Sequence, residues 1–80
     1  MEIEVRCYGT LCDYINIKSG IPFVVKINKN KNTNIKELIE FIGLPTQDVK
    51  FIIVNGRNVD GNYILQEGDR ISIFPPVAGG

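Results

Sequence analysis

The chain closes with Arg70-Ile71-Ser72-Ile73-Phe74-Pro75-Pro76-Val77-Ala78-Gly79-Gly80. Its first part alternates, with Ile71 and Ile73 on one face, which is the period-two pattern of a strand with one buried side. Pro75 and Pro76 have fixed φ angles and no amide hydrogens, so they end the strand and favour an extended exit. The final diglycine has no Cβ atoms and can pass through a channel too narrow for side chains. The sequence therefore predicts a last strand that continues into an extended tail with an accessible terminal carboxylate.

This tail predicts that the reactive group of the protein is the carboxylate of Gly80. At roughly 3.1–3.4 Å per residue, residues 75–80 could reach on the order of 19 Å from the body. A frayed terminus without function is the alternative, and the functional interpretation needs a body that can carry the tail. We therefore divide the chain into a domain at residues 1–74 and a flexible C-terminal tail at residues 75–80.

Length and composition limit the body to one small domain. The chain has 80 residues, of which 44% are hydrophobic and 22% charged, as is typical of a soluble globular protein. Nine basic and nine acidic residues give zero net charge, which does not favour nucleic acid or an anionic membrane as a partner. The sequence has neither a long apolar run nor a secretory leader pattern, so we expect a cytoplasmic protein.

The first half of the chain predicts two strands and one helix. Residues 2–8 alternate charged and apolar side chains, and residues 23–27 repeat the alternation, so both segments are predicted as strands with one wet face. Asn34 followed by Glu37 has the form of a capping box. The apolar stripe of residues 35–42 that follows predicts a helix, which ends at a glycine.

The second half predicts three strands. Residues 51–54 are continuously apolar, and Asn55-Gly56 is a strong hairpin signal that leads into a short strand at residues 57–59. Residues 70–74 form the last strand. The order β-β-α-β-β-β predicts an α+β fold with a mixed sheet of four to five strands on one main helix. The first and last strands are expected to lie side by side in parallel at the centre of the sheet.

One helix can cover only one face of such a sheet, so apolar side chains on the other face are candidates for a docking surface. Phe51, Ile53 and Phe74 are the residues that we assign to this surface. The alternative, that they are ordinary partly buried sheet residues, is about as good for each residue taken alone.

The chain lacks the residues that most enzymes use for catalysis. It has no histidine, and its only serines are Ser19 and Ser72, so a catalytic triad cannot be assembled. We identify no catalytic residue, no metal site, no phosphate-binding loop and no bound cofactor. Cys7 falls on the apolar face of the first strand and is predicted to be a core residue. Cys12 is placed in a loop, and a sulfur-relay role would require it to be exposed in an electropositive setting.

Three segments together resemble a known family, the ubiquitin-like β-grasp sulfur carriers. They are Val54-Asn55-Gly56, Gly68-Asp69-Arg70-Ile71-Ser72-Ile73 and Phe74-Pro75-Pro76-Val77-Ala78-Gly79-Gly80. The proline pair before the diglycine resembles the small subunits of molybdopterin synthase in particular. The resemblance implies a β-grasp fold and a carrier that is not itself an enzyme.

The resemblance also implies the partners. An E1-like enzyme would use ATP to adenylate the carboxylate of Gly80, and a sulfur donor protein would convert it to a thiocarboxylate. The tail would then insert into the large subunit of molybdopterin synthase or into another sulfur acceptor enzyme through its remaining residues, which are Pro75, Pro76, Val77, Ala78 and Gly79. Two alternatives stay open: a carrier for another pathway, such as thiazole synthesis, and a modifier joined to target proteins through Gly80. A plain interaction module without terminal chemistry is a third.

Overall fold

The structure is a computed structural model that describes residues 1–28 and 30–76. Its strands are β1 (Glu2–Cys7), β2 (Phe23–Lys26), β3 (Phe51–Val54), β4 (Arg57–Asn58) and β5 (Arg70–Phe74). One α-helix, α1 (Ile35–Ile42), follows β2, and two 3₁₀ helices span Gly9–Tyr14 and Thr46–Asp48. The predicted order of strands and helix is confirmed, whereas the two 3₁₀ helices were not predicted.

The five strands form one mixed sheet in the order β2-β1-β5-β3-β4. β1 and β5 run parallel at its centre, with Val5 opposite Ile71 and Cys7 opposite Ile73. The other three pairings are antiparallel. Parallel neighbours need a long crossover connection, and here that connection contains β2, α1 and the β3–β4 hairpin. The expected pairing of the first and last strands is confirmed.

The period-two alternation sorts the sheet into an inner and an outer face. Ile3, Val5 and Cys7 of β1 and Ile71 and Ile73 of β5 are at most 2% exposed and form the centre of the core. Their even-numbered neighbours point to the opposite face because successive side chains of a strand alternate. The helix contributes its apolar stripe to the same inner side. The result is the two-layer β-grasp arrangement, with one face of the sheet not covered by α1.

The helix begins and ends as its sequence predicts. The side chain of Asn34 accepts a hydrogen bond from the Glu37 amide at 2.8 Å, and the Glu37 carboxylate accepts one from the Asn34 amide at 3.2 Å. The second of these bonds, which the Glu37 carboxylate accepts from the Asn34 amide, lowers the pKa of Glu37, and Lys31 lowers it further. Gly43 adopts the left-handed conformation, with φ 98°, that terminates many helices.

The predicted hairpin is also present, and a buried carboxylate ties it to β5. Asn55 and Gly56 both have positive φ, 51° and 84°, as a two-residue hairpin loop of this type requires. Asp69 is 4% exposed and accepts hydrogen bonds from the Asn55 side-chain amide at 2.9 Å and the Tyr63 hydroxyl at 3.0 Å. The turn is therefore held to the start of the last strand by side chains as well as by the backbone.

The segment between β1 and β2 differs from the prediction. Gly9–Tyr14 forms a 3₁₀ helix, and Leu11 and Cys12 are 0% and 4% exposed within the core. The sequence predicted a plain loop because two adjacent apolar residues in a short polar segment show neither helical nor strand periodicity. The segment instead closes the end of the core beside the parallel strands.

The loop at residues 63–65 turns only part of its apolar side chains toward the core. Leu65 is buried and Tyr63 partly buried, but Ile64 is 41% exposed. An extended backbone explains this, because alternate side chains of an extended segment point in opposite directions.

We predict that the 3₁₀ segment contributes to the stability of the core. Leu11→Ala should lower the free energy of unfolding by about 2–5 kcal/mol, because it removes a fully buried side chain and leaves a cavity. Ile21→Ala is the control, since Ile21 lies in the same connection but is 54% exposed, and it should change stability by no more than about 0.5 kcal/mol. Urea denaturation at unchanged m-value measures both, and equal midpoints would contradict the placement of Leu11.

Candidate functional site

Three aromatic side chains form a row across the outer face of the sheet. Phe74 of β5 lies opposite Phe51 of β3 in the antiparallel register. On its other side, the ring of Tyr8, directly after β1, is stacked on Phe74 with centroids 4.5 Å apart and planes 7° apart. Tyr8, Phe51, Phe74 and Ile53 are called the aromatic patch below. The patch crosses three neighbouring strands at the end where β5 stops.

The side chains of the aromatic patch are partly exposed to solvent. Phe51 is 42% exposed, and Tyr8, Ile53 and Phe74 are intermediate. The stacked rings of Tyr8 and Phe74 shield each other, and Phe51 lies opposite Phe74 in the neighbouring strand. The structure thus brings together the three residues predicted for docking, Phe51, Ile53 and Phe74.

Polar groups border the patch on the same face. Ser72 lies between Ile53 on one side and Arg6 on the other, according to the strand registers. Arg6 forms an ion pair with Glu4 at 2.6 Å. A shallow depression of about 360 Å³ beside the patch is lined by Ile53, Asn55, Gly56, Arg70 and Ser72. An apolar centre with a charged and hydrogen-bonding rim is the usual anatomy of a protein interface.

The chain leaves the sheet directly beside this patch. Lys50 donates a hydrogen bond from its amide to the Phe74 carbonyl at 2.8 Å, so β5 is held to its last residue. Pro75 is partly buried and Pro76 is exposed. Val77, Ala78, Gly79 and Gly80, which were predicted for tail insertion and activation, lie outside the described residues.

Sequence reasoning missed two residues of this site, Tyr8 and Gly9. Tyr8 could have been found, because the alternation of β1 places it on the wet face and the expected parallel pairing places it next to Phe74. Gly9 could not, because its role depends on the tertiary contact with Pro75. A Cβ atom on Gly9 would lie 2.9 Å from Pro75 Cγ.

Cys12 does not meet the conditions for a sulfur relay. Its side chain is 4% exposed and packs in the core, within a 3₁₀ helix where the sequence predicted a loop. The predicted core position of Cys7 is confirmed, because its side chain is fully buried. Burial raises the pKa of the Cys7 thiol to about 11, and the nearby Cys12 adds to the rise. A reactive cysteine needs the opposite environment, one that favours the thiolate.

Residues 1–28 and 30–76 contain no group of three or more histidine, cysteine, aspartate or glutamate side chains placed to hold a metal ion. None of the helices in these residues is long and apolar enough to cross a bilayer. The candidate site consists of the aromatic patch and the exit of the chain beside it.

Comparison with known proteins identifies the family. The family profile described as Mut7-C ubiquitin matches residues 1–79. The chain belongs to this family. No curated protein matches it.

Solved structures confirm the β-grasp fold of this Mut7-C ubiquitin protein. It superposes on SAMP1 from Haloferax volcanii with a TM-score of 0.73 and 16% identity, covering 100% of both chains. Urm1 from Trypanosoma brucei gives a TM-score of 0.68 and 15% identity, over 99% of this chain and 95% of the other. A chain from the complex of subunits 1 and 2 of molybdopterin-converting factor from Helicobacter pylori 26695 is 31% identical, with a TM-score of 0.62 and 100% coverage of both chains.

We predict that neither cysteine reacts with iodoacetamide in the native protein near pH 8. At that pH only about one Cys7 thiol in a thousand is ionised when its pKa is about 11, and both sulfurs are buried. Labelling of Cys7 should then rise with pH toward 11, and both cysteines should react rapidly in concentrated urea. Peptide mass spectrometry measures each site separately. Fast native labelling of Cys12 would contradict the buried position and restore the relay hypothesis.

Proposed function

We propose that this protein is a sulfur carrier whose Gly80 carboxylate is adenylated by an E1-like enzyme and then converted to a thiocarboxylate. In this proposal residues 1–74 are the carrier body, and residues 75–80 are the segment that enters the partner. The observation that carries the proposal is the position of the chain exit. The chain leaves the central strand β5 at Pro75, directly beside the aromatic patch, on the face of the sheet that α1 does not cover.

The likeness to the Helicobacter pylori protein supports the pathway that we propose, molybdopterin synthesis. That chain was solved in a complex between subunits 1 and 2 of molybdopterin-converting factor, and it is 31% identical over the full length of both chains. We therefore propose the large subunit of molybdopterin synthase as the sulfur acceptor. The E1-like enzyme and the sulfur donor protein are further proposed partners, and the carrier itself binds no cofactor because ATP is used by the enzyme.

The proposed chemistry follows from the weakness of a carboxylate as an acylating group. Adenylation joins the carboxylate of Gly80 to the α-phosphate of ATP and releases pyrophosphate. The donor then supplies sulfur at the oxidation level of hydrosulfide. A C–S bond forms at the Gly80 carbonyl, the C–O bond to AMP breaks, and AMP leaves with the electron pair. The thiocarboxylate sulfur attacks an electrophilic carbon of the acceptor and displaces a leaving group there, which gives a thioester. Water then cleaves the C–S bond to Gly80, so the carboxylate is restored and the sulfur stays on the acceptor as a thiol.

In this scheme the chain contributes binding and presentation. The aromatic patch would dock on the partner, since aromatic residues are enriched in the buried centres of protein interfaces. Pro75 and Pro76 would keep the beginning of the tail extended, because their φ angles are fixed. Gly79 and Gly80 would fit a narrow channel, because they have no side chains.

We predict that incubation with ATP, the adenylating enzyme of the same organism and a sulfide source replaces one oxygen by sulfur at Gly80. Intact-mass and C-terminal peptide mass spectrometry measure the exchange. The reaction needs Gly80 to end the mature chain, so the same spectra should first show that terminus.

The control is a chain extended by one alanine after Gly80. It should fold with an unchanged melting temperature, because residues 1–76 are the same, and it should gain no sulfur. An unmodified wild-type protein under conditions where the enzyme is active would refute the carrier function. Covalent adducts of Gly80 with lysines of other proteins would instead favour the modifier hypothesis.

We also predict that Phe51→Ala weakens binding to the large subunit by about 30-fold, the effect of losing an interface hot spot of about 2 kcal/mol. Phe41→Ala is the matched control, because Phe41 is 73% exposed on α1, the helix that packs on the opposite face of the sheet. Isothermal titration calorimetry measures both affinities, and circular dichroism checks that both variants fold. Equal losses for the two variants would place the docking surface elsewhere.

A further inference from the structure

We propose that Gly9 is a positioning residue that fixes the first tail residue, Pro75, and so sets where and in which direction the tail leaves the body. This inference rests on the proposed function. It adds the residue that sets the direction in which the tail, with Gly80 at its end, leaves the domain toward the partner. It concerns the connection that follows Tyr8 of the aromatic patch and begins at Gly9.

The first observation is the space at Gly9. Its φ is +60°, in the left-handed region that favours glycine, and a Cβ atom there would lie 2.9 Å from Pro75 Cγ and 3.6 Å from Pro75 Cδ. A distance of 2.9 Å is shorter than carbon atoms tolerate without moving. Gly43, Gly56 and Gly68 also have positive φ, but a Cβ atom on any of them would meet nothing within 4 Å. Two separate reasons thus favour glycine at position 9: its backbone has a positive φ, and the ring of Pro75 leaves no room for a Cβ atom.

The second observation is that hydrogen bonds and core packing fix the connection that begins at Gly9. The Gly9 amide donates a hydrogen bond to the Ser19 hydroxyl at 3.2 Å. Gly20, which follows Ser19 in the chain, donates a hydrogen bond from its amide to the Cys7 carbonyl at 2.8 Å. These two bonds join both ends of the Gly9–Gly20 connection, whose Leu11 side chain is anchored in the core. Gly9, which Pro75 approaches closely, is therefore anchored to the folded domain.

The third observation links this surface to the aromatic patch. The Tyr8 amide donates to the Ile73 carbonyl at 3.1 Å, and the Tyr8 ring is stacked on Phe74. Residues 8 and 9 thus contact residues 73, 74 and 75 in succession along the extension of the parallel pair. A partner that docks on the patch therefore meets Pro75 at a fixed distance from Phe74.

Two consequences follow for the partner. From Pro76, the last residue that the structure describes, the four residues to Gly80 can span at most about 14 Å. The activating site of the partner should therefore open within that distance of the patch. Holding Pro75 in advance also removes part of the ordering entropy that binding the tail would otherwise cost.

The test compares Gly9→Ala with Gly68→Ala. Both substitutions put an alanine at positive φ, +60° and +81°, but only the first meets Pro75. We expect Gly9→Ala to lower kcat/KM for thiocarboxylate formation about tenfold, the effect of ordering one further residue. Gly68→Ala should leave it unchanged, and similar melting temperatures of the two variants would show that backbone strain is matched.

A double-mutant cycle separates positioning from a general structural effect. Pro75→Ala removes the Cγ and Cδ atoms that a Cβ atom on Gly9 would strike. The effects of Gly9→Ala and Pro75→Ala on kcat/KM should then be strongly non-additive, whereas those of Gly68→Ala and Pro75→Ala should add. Additive effects for the first pair would overturn the inference.

An NMR measurement on the free protein keeps this inference distinct from the proposed function. We expect nuclear Overhauser effects between the Gly9 α-protons and the Pro75 ring protons in the wild type. Their absence would overturn the contact itself. Suppose that these effects are present and the wild type gains sulfur. Equal kcat/KM values for Gly9→Ala and Gly68→Ala would then show that the proposed positioning role of Gly9 is wrong. If the wild type gains no sulfur at all, the carrier function fails, and the positioning role fails with it.

Discussion

The parallel pairing of β1 with β5 is the constraint on which the rest of this structure depends. It brings the beginning and the end of the described chain together at the centre of the sheet, with Val5 beside Ile71 and Cys7 beside Ile73. Parallel strands run in the same direction, so the residues that follow them emerge at the same edge. Tyr8 therefore meets Phe74, and Gly9 meets Pro75. The register of β1 against β5 therefore determines both where the aromatic patch lies and where the chain leaves the sheet.

The core and the candidate site use opposite faces of the same strands. On the inner face, the odd-numbered residues of β1 and β5 are packed under α1 and are almost fully buried. On the outer face, the sheet presents Phe51, Ile53 and Phe74 without a covering helix. A small domain can therefore keep a well-packed core and still offer an apolar surface to a partner, because the pleat of each strand separates the two tasks.

Much of this fold could be predicted because its signals are local. Three signals each predict one element from a few neighbouring residues, and each predicted element is present. They are the alternation in residues 2–8, the Asn34–Glu37 capping box and the Asn55-Gly56 turn. The patch was partly predictable for the same reason, since face and strand order together place Phe51, Ile53 and Phe74. The 3₁₀ segment was missed because Leu11 and Cys12 are buried by tertiary packing without periodicity. The role of Gly9 was missed because it arises from a contact with a residue at the other end of the domain.

The close approach of Gly9 to Pro75 also restricts how sequences with this fold can diverge. A side chain at position 9 and a ring at position 75 cannot both be accommodated with the present backbone, because their atoms would lie 2.9 Å apart. Position 9 can gain a side chain only after position 75 has lost its ring, whereas position 75 can change first. Among relatives that keep the same register, these two positions should therefore covary, and a proline after the last strand should accompany a glycine after the first.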